Sequence, residues 1–137
     1  MADTTTGSDA AIAREYGLTC PDEFGGTYVI GDQLVVFFTA NMNHNEQRLR
    51  NLVSSPDQLV VRGCTRSWRE LSASMLRVKD RLMAHPDIGV REIGFGLRRG
   101  EPGVRIRLAA VSPDRVRRVI ELAAPEEVYV DPVGTDC

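Results

Sequence analysis

The chain reads as one unit written twice, and this constrains its fold more than any single motif. Ser54-Ser55-Pro56-Asp57-Gln58-Leu59-Val60-Val61 is matched 69 positions later by Ala123-Ala124-Pro125-Glu126-Glu127-Val128-Tyr129-Val130. In both phrases small residues precede a proline, an acid follows it, and a short strand-like apolar run comes next. A stretch with helical spacing lies upstream of each proline, and a pair of strand-like runs lies upstream of that. Such a supersecondary unit buries its apolar face against its twin. The expected fold class is therefore α+β: two pseudo-repeated ββαβ units with antiparallel sheet and helices packed on one side.

The repeat places the boundaries. Residues 1–24 form an N-terminal tail and short helix, and residues 25–66 the first ββαβ unit. Residues 67–86 form a central helix, 87–131 the second ββαβ unit, and 132–137 a C-terminal tail. Met1–Gly7 is expected to be disordered. Ser8 or Asp9 caps a helix reaching Tyr16, and Gly17 suits its left-handed end. In the first unit, Thr27–Ile30 and Leu34–Thr39 are β-branched and aromatic, and Gly31-Asp32-Gln33 between them signals a hairpin. Leu34-Val35-Val36-Phe37-Phe38 does not alternate, so both faces of that strand are expected to be covered. Asn43 to Asn45 offer helix caps, Leu49, Leu52 and Val53 give a helical stripe, and Pro56 ends it.

Ser67-Trp68-Arg69-Glu70 is a capping box, in which a hydroxyl and a carboxylate each satisfy a backbone N–H. Trp68, Leu71, Met75, Val78 and Leu82 then recur at alternating spacings of three and four, a core-facing helical seam over Ser67–Ala84. In the second unit Val90–Leu97 and Val104–Ala109 flank a hairpin loop, Arg98–Gly103. Val104, Ile106 and Leu108 alternate with Arg105 and Arg107, giving one buried and one wet face. Ser112-Pro113 starts a helix with a hydroxyl cap and a proline at its first position. Val116, Val119 and Ile120 are expected to face inward, and Pro125 stops the helix.

Composition excludes several function classes. The net charge is −2 and the arginines are interleaved with acids, so nothing favours nucleic acid. No apolar run approaches the roughly 18–20 residues of a membrane span. Met1–Asp9 has neither the basic start nor the apolar stretch of a secretory leader, so the expected location is cytoplasmic. Three cysteines, Cys20, Cys64 and Cys137, fit neither a disulfide framework nor a structural zinc site. His44 reads as part of a helix start and His85 as a helix-end residue. No catalytic residue, metal ligand or cofactor is expected, and Cys20, Cys64, His44 and His85 are expected to form no nucleophile pair.

The order of elements resembles the pro-regions of alpha-lytic-type secreted bacterial serine proteases. The likeness lies in Phe24-Gly25-Gly26-Thr27-Tyr28, the strand Leu34-Val35-Val36-Phe37-Phe38-Thr39, and the helix start Ser67-Trp68-Arg69-Glu70-Leu71. A hairpin from Ile88-Gly89-Val90 through Val104 completes it. The resemblance implies a non-catalytic, protein-binding module that assists folding of a protease or inhibits it. The expected function is that of an inhibitor, chaperone-like protein or regulatory partner, with another protein as its ligand. The alternative is a small enzyme or ligand-binding domain with a pocket between the repeats. The partner-binding residues are expected to be Tyr129 and Val133, on the last strand and its tail, with Arg98 and Arg99 on the hairpin.

Overall fold

The computed structural model describes residues 2–131, with side chains from Ser8 onward. The expectations placed on Val133, Cys137 and the tail 132–137 lie outside the described residues. The chain divides at Glu70/Leu71 into two compact units, and the class is α+β. The first unit holds helix α1 (Ala2–Leu18), strands β1 (Phe24–Ile30) and β2 (Gln33–Phe38), helix α2 (Met42–Leu52) and strand β3 (Leu59–Gly63). Helix α3 (Trp68–Met83) crosses the division and leads into β4 (Val90–Arg98), β5 (Glu101–Leu108), α4 (Pro113–Ala123) and β6 (Val128–Asp131). The repeated element is therefore longer than ββαβ, because a helix precedes each hairpin. Pro21-Asp22 after α1 and Pro86-Asp87 after α3 mark this in the sequence, 65 positions apart.

The two sheets have the same order and directions, β1-β2-β3 and β4-β5-β6. Their first pairs are antiparallel and their second pairs parallel, so each sheet is mixed rather than antiparallel throughout. The connections dictate this. A two-residue turn reverses the chain, whereas a helical crossover returns it in the original direction. The repeated prolines stand before β3 and β6, whose first residues lie opposite Leu34 and Val104.

The turns follow from backbone sterics. Gly31 has φ 60° and opens the first hairpin. Arg99 and Gly100 both have positive φ (55° and 78°), the signs of a type I′ turn. The expected loop Arg98–Gly103 is thus only two residues long, and Arg98 pairs directly with Glu101. Pro102 lies inside β5, opposite Leu97. Alternation from the closing Arg98–Glu101 pair makes this a non-hydrogen-bonded position, where a missing N–H costs the ladder nothing.

Each unit has its own apolar core. In the first, Leu34, Val36 and Phe38 of β2 meet Ala13, Phe24, Leu49, Val53 and Leu59. All five residues Leu34–Phe38 are buried, as their lack of alternation implied. In the second, Val104, Ile106 and Leu108 of β5 meet Val78, Leu82, Ile88, Val119 and Ala123. The capping box closes as expected, with Ser67 N donating to Glu70 Oε1 at 3.1 Å and Glu70 N to Ser67 Oγ at 3.2 Å. Ser112 Oγ likewise accepts from Arg115 N at 3.2 Å.

Several local expectations are corrected. Ala2–Gly7 is helical rather than disordered, since α1 docks on β1 and β2 through Ala13 and its neighbours and a packed helix propagates beyond its anchored turns. Gly17 does not end α1. It is buried within the helix, where a Cβ would collide with the Phe24 ring. The N-cap of α2 is Asn41 in the left-handed region (φ 54°), without a side-chain cap bond, and Asn45 is buried. Ile120 is 48 % exposed, because α4 points Val119 and Ala123, not Ile120, into the core.

Candidate functional site

Several polar side chains of the first unit hold its loops. Asp9, buried on α1, accepts from Ser54 N at 2.8 Å and Ser55 N at 2.9 Å, pinning the turn before Pro56. Asn45 accepts from the Tyr16 hydroxyl at 2.6 Å and donates to Glu23 Oε1 at 3.1 Å and Ala40 O at 3.3 Å. Burial pushes the Tyr16 hydroxyl and the Cys20 thiol above their ordinary pKa values, so both stay protonated at neutral pH. The Cys20 Sγ lies 3.8 Å from Tyr16 O and the Cys64 Sγ 3.3 Å from Arg66 O. His44 is exposed on α2, and His85 lies 3.5 Å from Arg118 Nη2. Among the described residues no group of three His, Cys, Asp or Glu could hold a metal ion.

The second unit makes equivalent ties. Arg77 of α3 grips the Glu126 carboxylate with Nε and Nη2, both at 2.9 Å, holding its pKa down to about 2. Arg81 donates to the carbonyls of Ala123 and Ala124, closing the end of α4. Arg118 bonds Asp87 and holds that carboxyl below the usual range.

The expected partner-binding residues fall on this unit. Tyr129, on β6, lies over the glycines of the β4–β5 hairpin. A Cβ on Gly96 would collide with its hydroxyl, and one on Gly103 would touch its ring at 3.8 Å. Arg98 Cζ stands 6.0 Å from the ring centroid, which leaves the ring half-buried between glycine backbone and guanidinium. Burial raises the Tyr129 pKa. Arg105 and Arg107 on the same sheet face pair with Glu92 and Asp131 at 3.0 and 3.1 Å. Arg99 is an exposed turn residue. Tyr129 and Arg98 are thus brought together, and both are engaged within the hairpin.

The open surface lies elsewhere. Beside α4, Val111, Pro113, Val116 and Ile120 line an apolar trough of about 580 Å³, rimmed by Arg117 and Glu121. Between α3 and the start of β4 runs a groove of about 270 Å³, lined by Met75, Leu76, Lys79 and Met83 on the helix and Val90–Ile93 on the strand. Met83 and Leu76 are 67 % and 58 % exposed, more than any other large apolar side chain described. The sequence carried a signal for this surface. Leu76 and Met83 each sit one position after a seam residue, the half-buried Met75 and the buried Leu82, on the side of α3 where polar residues belong.

Among the described residues no helix is long and apolar enough to cross a membrane. No family model matches the chain, and neither does any curated protein or solved structure.

Proposed function

We propose that this chain is a non-catalytic protein-binding module, acting as an inhibitor, chaperone-like protein or regulatory partner. The observation that carries the reading is the exposed pair Leu76 and Met83 beside β4. Large apolar side chains grouped on a surface mark sites where another protein removes them from water. The polar clusters support the same reading, because their hydrogen-bonding groups are directed at the chain's own loops rather than converging on a cleft. The resemblance to protease pro-regions makes serine proteases the first partners to assay.

The test is affinity capture with the immobilised full chain, followed by calorimetry with the purified captured protein. Saturable binding with a negative heat-capacity change is expected, since apolar surface leaves water. If no captured protein binds in calorimetry, the reading is overturned.

A further inference from the structure

We infer that the groove between α3 and β4 takes an extended segment of another protein that turns both apolar and acidic side chains toward α3. The inference rests on the protein-binding reading and adds the chemistry of the ligand. The same groove exists twice. In the first unit Ala10, Ala11, Arg14 and Leu18 of α1, with Thr27 of β1, line a trough of about 470 Å³. Met75, Leu76, Lys79 and Met83 stand 65 positions after those four α1 residues. Thr27 and Ile93 are equivalent as well. Each is the edge residue of a row across its sheet, Thr27-Val36-Val61 and Ile93-Ile106-Val130.

The first unit is therefore an internal comparison. Its groove has Leu18 as its one large apolar side chain, beside two alanines, Glu15 and Thr27, and its cation, Arg14, stands over the Trp68 ring at 6.0 Å. The second unit replaces two alanines and a leucine with two methionines and a leucine, and the threonine with isoleucine. Methionine is flexible and polarisable, and adapts to side chains of varied shape.

Shape and charge select the occupant. From Met75 to Met83 the helix rises about 12 Å, which matches about four residues of extended chain. A segment between a helix and an edge strand gains backbone pairing from the strand and side-chain selectivity from the groove. β4 is an edge strand, paired only with β5. On the rim, the Glu92 carboxylate is neutralised by Arg105 at 3.0 Å. Lys79 and Arg91 are exposed and have no ion pair among the described residues. The rim thus presents net positive charge to whatever lies in the groove, and acidic side chains complement it.

The test uses a fluorescein-labelled octapeptide repeating Leu-Leu-Glu-Glu, which presents both residue types on each face of a strand, and its counterpart with lysine for glutamate, titrated against the full chain by anisotropy. The glutamate peptide is expected to bind saturably and at least tenfold more tightly than the lysine peptide. Met83→Glu should weaken it at least tenfold, and Lys79→Glu at least fivefold. Both positions are exposed, so neither change disturbs a core. Lys79 is the only lysine in the chain. A carbodiimide should therefore join a glutamate of the bound peptide to Lys79, in an amide that survives digestion. No binding, equal binding of the two peptides, equal binding by the Met83→Glu chain, or coupling at the α-amino group alone overturns the inference. A captured partner that binds the Met83→Glu chain unchanged also overturns it, while leaving the protein-binding reading intact.

Discussion

Gly96 and Tyr129 show how one residue's size is set by a neighbour distant in sequence. The strand pattern around Phe95 tolerates any side chain at position 96, yet a Cβ there would meet the Tyr129 hydroxyl. An aromatic ring laid across strand glycines covers backbone that would otherwise face water. Gly96→Ala should cost about 1–3 kcal/mol, the usual range for forcing atoms into filled space. Tyr129→Phe removes the colliding oxygen, so the double variant Gly96→Ala/Tyr129→Phe should recover much of that loss in urea denaturation. Additive costs would show that the ring moves aside freely. The collision was illegible in the sequence, because nothing in Gly94-Phe95-Gly96 refers to residue 129.

The ties between elements are carried by charged groups. Asp9 holds Ser54 N and Ser55 N from α1, and removing it as Asp9→Ala leaves two amides to find other partners, at about 1–3 kcal/mol. Asp9→Asn keeps one acceptor and should cost less; thermal or urea melts of the two variants decide this. The Arg77–Glu126 tie predicts a pH dependence. Glu126 has a folded pKa near 2 against an ordinary value of 4.5, so the unfolded chain binds a proton that the native chain does not. The stabilisation is present above about pH 4.5 and is lost as pH falls toward 2. Urea midpoints measured from pH 5 to 2 should fall for the native chain and fall less steeply for Arg77→Met. Equal slopes would assign the acid sensitivity to other carboxylates. At this scale the sequence was informative wherever the partners are close along the chain. The capping box at Ser67–Glu70 and the Ser112 cap were legible, whereas Asp9 read only as a helix cap because its partners lie some forty-five residues away.

In the whole molecule the middle strands anchor two separate cores. Among the described residues β2 and β5 are the only strands paired on both sides, and they supply Val36 and Ile106 to the two cores. Amide hydrogen exchange should therefore be slowest at Val35–Phe37 and Val104–Leu108. Amides of β1, β4 and β6 should exchange faster, since edge strands open with fewer bonds broken. Protection of β4 equal to that of β5 would mean that its edge is already covered in the free protein, leaving no room for an added strand.

The sequence by itself determined the elements, their order and the duplication, because helix, strand and turn signals are local and the period of apolar residues reports which face is buried. Leu71, Val78 and Leu82 on α3 and Val104, Ile106 and Leu108 on β5 were all legible this way. Tertiary structure alone decided the parallel pairing of β3 and β6, the length of α1, and the exposure of Ile120. Each depends on which surface an element meets, and docking overrides local preference there. The same reason separates the expected partner-binding residues from the groove proposed here. Tyr129 and Arg98 looked available in the sequence until the hairpin folded them onto each other. The position of Leu76 and Met83 on the polar side of α3 was legible in the sequence, but only the fold, by taking their neighbours into the core, showed that they stay in solvent beside β4.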